Sequence, residues 1–173
     1  IGSSTARKAA ALGYEVLCHD ILAEGADTFR GYPHVGLDEL LQRSQVVSIH
    51  TPLTAATRHL IGGPELALMR SDATLVNTAR GAIVDTLALA EAVRDGVIRS
   101  AALDVTEVEP IPLDHPLLAL PQVILTPHTA WYSEESYGEL KRRAVENVAN
   151  VLAGGTSRDI VNPKALSRGR CVT

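Results

Sequence analysis

Val123-Ile124-Leu125-Thr126-Pro127-His128-Thr129-Ala130-Trp131 decides how the chain is read. Val123, Ile124 and Leu125 form a short apolar run, the pattern of a buried parallel strand. Pro127 cannot donate to a ladder and biases Thr126 towards an extended backbone, so the strand stops there. His128 then stands just past the strand's carboxyl end, where open α/β sheets hold their ligands. An imidazole at such an edge suits proton transfer near neutral pH. A lone histidine can equally cap a loop, so the other junctions have to decide.

The same arrangement recurs upstream. Leu37, Leu40 and Leu41 are spaced for a helix, and residues 45–50 form a strand around Val46, Val47 and Ile49. That strand runs into Thr51-Pro52-Leu53-Thr54, and a turn region over 57–62 follows. Pro64 suits the first turn of a helix reaching Met69. Residues 73–77 read as the next strand, leading into Thr78-Ala79-Arg80-Gly81. Asp85 can cap a helix over 86–94 and Gly96 can close it. A further strand lies within 98–105, before the acidic, proline-bearing stretch 106–116. Mixed charges and recurrent apolar positions make 133–152 a long amphipathic helix, ended by Gly154-Gly155 and followed by a polar tail. Strands alternating with helices imply right-handed crossovers, hence an α/β fold with a Rossmann-type parallel sheet flanked by helices.

The opening fits that fold as half of a unit. Residues 3–12 are rich in helix formers, Gly13 stands at a C-cap, and 14–19 read as a strand ending at Asp20. Glycine, helix, glycine, strand and acid make the second half of a dinucleotide-binding βαβ unit. Gly2 reads as the last glycine of a G-x-G-x-x-G turn. The preceding strand and leading glycines are absent from this sequence, which opens on Ile1 as the middle of something longer. Asp20 lies 20 − 2 = 18 positions past Gly2, close to the ~20 expected of the acid that binds ribose hydroxyls. No arginine follows at once to hold a 2′-phosphate, so NAD is favoured over NADP. Read alone, Gly2 can simply permit close packing, and Asp20 can simply end a strand.

Composition bounds the rest. The 173 residues are 46% hydrophobic and 21% charged, as in an ordinary globular protein. The net charge of −4 is spread over mixed-sign segments, with no basic stripe for nucleic acid. No apolar run approaches the ~18–20 residues of a membrane span. Cys18 and Cys171 form no CxxC and no disulfide framework, so a reducing cytoplasm is expected. No residue is assigned to a metal.

In a parallel sheet the strand-to-helix junctions share one edge, so Thr51, Arg80, Asp104, Glu109 and His128 can converge. Arg80 offers a fixed fork for a carboxylate, or a surface ion pair. Glu109 can orient an imidazole and favour its charged form. Glu107, by contrast, reads as a solvated loop carboxylate. Asp104 can accept from a carboxamide or cap its loop. An anion clamp, an acid/base and a tuner beside a nucleotide fold suit hydride transfer coupled to proton transfer on a 2-oxo acid. A Rossmann-like methyltransferase would also use Gly2 and Asp20, but leaves Arg80, Glu109 and His128 unexplained.

Val76-Asn77-Thr78-Ala79-Arg80-Gly81, Ala102-Leu103-Asp104-Val105 with Glu109-Pro110, and Thr126-Pro127-His128 resemble the signatures of the D-isomer-specific 2-hydroxyacid dehydrogenases. The resemblance covers nearly the whole chain. His128-Thr129-Ala130-Trp131-Tyr132-Ser133-Glu134 looks most like the branch of C-terminal binding protein and its bacterial relatives. The resemblance implies catalytic roles for Arg80 on the substrate carboxylate, His128 as acid/base and Glu109 as its partner. It implies NAD contacts at Ile1, Gly2, Asp20, Thr51, Pro52, Leu53, Thr57, Thr78, Ala79, Arg80, Asp104, His128, Ala130 and Trp131. It also implies an NAD-binding domain over 1–131 lacking its first strand, and a helix and tail over 132–173 returning towards a substrate domain. The absent strand normally lies near the sheet centre. The expected partners are a small 2-oxo or 2-hydroxy acid and a second copy docked through the nucleotide-binding domain. The alternative is an NAD-sensing interaction protein of the C-terminal binding protein type. Trp131 is expected to narrow the site and favour substrates with medium apolar tails, unless it packs on the helix after it.

Asp20→Ala in the full-length protein is expected to weaken a preference for NADH over NADPH. Turnover with both cofactors checks it, and equal or better turnover with NADPH before mutation overturns the assignment.

Overall fold

The computed structural model describes residues 1–157 and 159–162, so Cys171 and the end of the polar tail lie outside the described residues. Two compact units result, one over 1–130 and one from 131 onward. In chain order the first unit carries α1 (Gly2–Ala11), β1 (Thr28–Phe29), β2 (Tyr32–Pro33), α2 (Leu37–Arg43), β3 (Val46–Ile49) and α3 (Gly63–Leu68). It continues with β4 (Thr74–Asn77), α4 (Thr86–Arg94), β5 (Ser100–Leu103) and β6 (Val123–Leu125).

β3, β4, β5 and β6 form one parallel sheet in that order. Successive side chains point to opposite faces, so β3, β4 and β5 each bury every second residue. Val47 and Ile49, Leu75 and Asn77, and Ala101 and Leu103 turn to one face. Leu41 of α2, Leu66 of α3, and Leu89 and Val93 of α4 belong to the same buried cluster. The α4 helix starts where Asp85 accepts from the backbone N–H groups of Leu87 and Ala88, as its sequence suggests. At the sheet edge, Ile124 of β6 remains 65% exposed.

Two expectations are corrected. Residues 14–19 do not join the sheet; their only ladder contact is an isolated parallel bridge between Cys18 and His34. A strand following the first Rossmann helix pairs with the strand before that helix, and none of the described residues supplies one. The backbone instead joins Cys18 N–H to Pro33 O at 2.9 Å and Val35 N–H to Cys18 O at 3.0 Å. Residues 23–36, glycine-rich, polar and without a clear period, read from sequence as a surface connection but contain the antiparallel β1–β2 hairpin. Arg30 (φ 51°) and Gly31 (φ 87°) between them supply the left-handed pair that a tight hairpin requires.

The second unit is built on α5 (Glu134–Leu152), capped where Ser133 Oγ accepts from Ser136 N–H. Val145, Val148 and Leu152 on this helix are exposed. No described helix is long and apolar enough to cross a membrane.

Leu75 is fully buried in one of the two central strands. Leu75→Ala is expected to cost about 2–5 kcal/mol, read as a lowered denaturation midpoint.

Candidate active site

The strand ends are in line before any side chain is considered. Asn77 pairs with Leu103, and Leu103 with Leu125, so β4, β5 and β6 finish side by side. The three junctions beyond them carry Arg80, Glu109 and His128.

After β4 the chain turns on Asn77, a polar side chain only 1% exposed. Its Oδ1 accepts from Ala79 N–H at 3.0 Å and its Nδ2 donates to Arg80 O at 3.0 Å. The turn thereby presents Thr78 and Arg80 at the surface while Ala79 stays half-buried. The Arg80 guanidinium donates to Ala79 O through Nη1. Gly81 then packs against the next junction. A Cβ there would lie 2.0 Å from both the carbonyl carbon and the oxygen of Thr106, which are backbone atoms that cannot step aside. From sequence, Gly81 reads as a small residue that lets the Arg80 guanidinium lie at the edge, and Asn77 has no task; the contact of Gly81 with the Thr106 backbone and the Asn77 bonds come from the fold. An asparagine closing a strand before a turn was the available signal for Asn77.

After β5 comes Asp104, 5% exposed. Oδ1 accepts from Thr126 Oγ1 at 2.5 Å and from Thr129 N–H at 2.8 Å, and Oδ2 accepts from Ala130 N–H at 2.9 Å. Burial pushes its carboxyl up, but these donors outweigh burial and hold it below the usual carboxylate range. Of the two tasks left open for Asp104, the described contacts are those of a loop cap.

Glu109 Oε1 accepts from Thr106 N–H at 3.1 Å, and Oε2 lies 2.8 Å from His128 Nδ1. The bond to His128 holds the Glu109 carboxyl below its usual range, against the opposing effect of burial. His128 sits at φ 54°, a left-handed backbone uncommon outside glycine. Its N–H donates to Asp104 O at 2.8 Å, so Asp104 holds both the residue and the loop that follows.

Glu107 is not the solvated loop carboxylate that the sequence suggested. Its side chain is 21% exposed and meets His59 Nε2 at 2.8 Å and Arg58 at 3.5 Å. It also accepts from Thr86 N–H and Thr86 Oγ1, both at 3.1 Å. The loop folds back so that neighbouring elements supply donors no local pattern reveals.

The remaining residues lie as follows. Thr57 Oγ1 donates to Pro52 O at 2.7 Å and accepts from Thr54 N–H at 2.7 Å, tying the loop of Thr51, Pro52 and Leu53. Ile1 is the N-cap of α1 without a side-chain cap bond; its C=O accepts from Ser4 N–H at 2.9 Å, and the Gly2 and Ser3 N–H groups point out of the helix start, where an anion can be held. At Gly2 an added Cβ would lie 3.1 Å from His50 Cβ, a close approach of α1 to the residue after β3. Asp20 accepts from Leu22 N–H at 2.9 Å and is half-buried. An uncapped helix start with a carboxylate beyond the next segment has the donor and acceptor types a dinucleotide needs, so these residues fit NAD. Trp131 belongs to the second unit, where it lies edge-on to Tyr132 at 5.7 Å and tilted to Tyr137 at 6.3 Å. Its indole thus touches the start of α5 and is 50% exposed.

Gly81→Ala is expected to cost at least about 2–3 kcal/mol, because the added methyl overlaps backbone. Gly96→Ala, at φ 71° with nothing within 4 Å of the new Cβ, is expected to cost only about 1–2 kcal/mol. Denaturant midpoints of the two variants check the contrast.

Known proteins share this fold. The chain is 41% identical over 167 residues to a glyoxylate reductase of Korarchaeum cryptofilum, spanning 96% of this chain and 50% of that protein. It is 43% identical over 163 residues to a glyoxylate reductase of Aeropyrum pernix, spanning 94% of this chain and 49% of that one. The crystal structure of D-lactate dehydrogenase with NAD+ from Lactobacillus jensenii matches with a TM-score of 0.84 at 32% identity. That match covers 93% of this chain and 52% of that one. The chain therefore spans about half the length of the relatives it matches. The model of the D-isomer specific 2-hydroxyacid dehydrogenase NAD binding domain matches residues 1–130, the whole of the first unit. The chain belongs to the D-isomer specific 2-hydroxyacid dehydrogenase family, and residues 1–130 are its NAD-binding domain.

Proposed function

We propose that the full-length protein is an NAD-dependent D-2-hydroxyacid dehydrogenase that reduces a small 2-oxo acid. The observation that carries this reading is the 2.8 Å contact between Glu109 Oε2 and His128 Nδ1 at the carboxyl edge of the sheet. The glyoxylate reductase and D-lactate dehydrogenase names of the relatives favour a small substrate of this class.

Bound NADH supplies the hydride, held by the α1 start, Asp20 and the Thr51–Thr57 loop. The charge is handled by the protein. With Nδ1 engaged by Glu109, the proton to be moved is the one on Nε2 of His128. As the carbonyl is reduced its oxygen gains charge, and the imidazolium delivers that proton to make the hydroxyl. Glu109 keeps the imidazolium favoured until delivery. Arg80 holds the substrate carboxylate through two parallel N–H bonds and fixes which face of the carbonyl is presented.

Three variants of the full-length protein test this. His128→Ala is expected to reduce turnover roughly 10²–10⁴-fold. Arg80→Lys is expected to raise KM and recover only part of the activity that Arg80→Ala loses, since an ammonium lacks the fork. The pH profile is decisive. The bond to His128 holds the Glu109 carboxyl low, so its charge persists below neutral pH and stands beside the imidazole. Glu109→Gln removes that charge, so reduction is expected to fall off at a lower pH with NADH binding intact. An unmoved limb overturns the pairing.

A further inference from the structure

Glu107 lies two residues before Glu109, yet its carboxylate faces other elements. It bonds the first residue of α4 through Thr86 N–H and Oγ1, and the 57–61 loop through His59 and Arg58. That loop is itself fixed to the Arg80 junction, with His59 N–H on Ala82 O at 2.9 Å and Ile61 N–H on Ile83 O at 3.1 Å. One carboxylate thus binds the loop carrying Glu109 to the junction carrying Arg80.

The loop borders a cavity of about 230 Å³ lined also by Thr86, Leu87, Ile111 and His115. Gly81 lies against the backbone of Thr106 and Glu107, so the loop and the Arg80 junction are in close contact there. The Glu107 bonds tie this segment to α4 and to the 57–61 loop, where the cavity leaves room for it to shift. Glu109 follows the same segment, because its Oε1 accepts from Thr106 N–H while Oε2 reaches His128.

We propose that Glu107 is a positioning residue for the Glu109–His128 pair, fixing the loop so that the Glu109 carboxylate stays within reach of the imidazole. This rests on the catalytic reading of Glu109 and His128 given above. Burial pushes the Glu107 carboxyl up, and the bonds from His59 and Thr86 outweigh it, so the anchor is ionised in the working range. The charged and titratable groups facing Glu107 are His59 and Arg58, with His115 reached across Thr86 Oγ1 at 3.3 Å. Glu109 and Asp104 are charged groups that face His128. Loss of Glu107 therefore acts on His128 through the placement of Glu109.

The test compares Glu107→Ala, Glu107→Gln, Glu109→Gln and the Glu107→Ala/Glu109→Gln double variant in the full-length protein. Three quantities are read: the pH at which reduction falls off, the titration midpoint of the His128 ring by NMR in cofactor-free protein, and the melting temperature. Glu107→Ala is expected to move both pH readings down, in the same direction as Glu109→Gln and by less. The double variant is expected to shift no further than Glu109→Gln alone. Glu107→Gln, which keeps an acceptor for Thr86, is expected to fall between wild type and Glu107→Ala, and it carries the test if the alanine variant does not fold. A lowered melting temperature with both pH readings unmoved makes Glu107 merely structural and overturns the proposal. If Glu109→Gln itself moves neither reading, the catalytic pairing fails and the positioning role fails with it. A shift in Glu109→Gln without one in either Glu107 variant overturns only the positioning role.

Discussion

The buried carboxylate of Asp104 is the constraint on which the edge of the sheet depends. A charge removed from water is tolerated only where donors replace the lost hydration. Asp104 draws those donors from Thr126, Thr129 and Ala130, all on the neighbouring junction. Satisfying one buried group therefore fixes the path of another segment. It also sets His128 in its left-handed backbone, a conformation that costs about 1–2 kcal/mol in isolation.

The sheet supplies the frame in which that constraint acts. Parallel strands in register end together, and their junctions emerge on one side. The junctions then brace one another by different means. Asn77 closes the first turn through its own side chain, Gly81 seats the first junction against the second by having no side chain, and Asp104 ties the second to the third. Arg80, Glu109 and His128 remain at the surface because the buried polar work is done by these other residues.

The contrast between the two carboxylates of the 106–110 loop shows how burial sorts identical chemistry. Glu107 and Glu109 stand two positions apart and each meets a histidine at 2.8 Å. The Glu107 side chain is 21% exposed and is also bound to the backbone of α4; the Glu109 side chain is 41% exposed and faces His128 at the edge. The first is bound into the fold, and the second stands beside His128 at the sheet edge.

Sequence by itself determined the parallel β3–β6 sheet, the caps of α4, the end of α5 before Gly154-Gly155, and the candidate set of Arg80, Glu109 and His128. These are local signals: apolar runs stopped by prolines, capping residues at fixed offsets, and polar residues just past strand ends. Only the tertiary structure decided that 14–19 stays outside the sheet, because a strand exists only where a neighbour offers a ladder. Only the tertiary structure gave Glu107, Asn77 and Gly81 their contacts. The partners of Glu107 and the backbone against Gly81 come from segments distant in sequence, and no pattern within one segment encodes the donors another will bring.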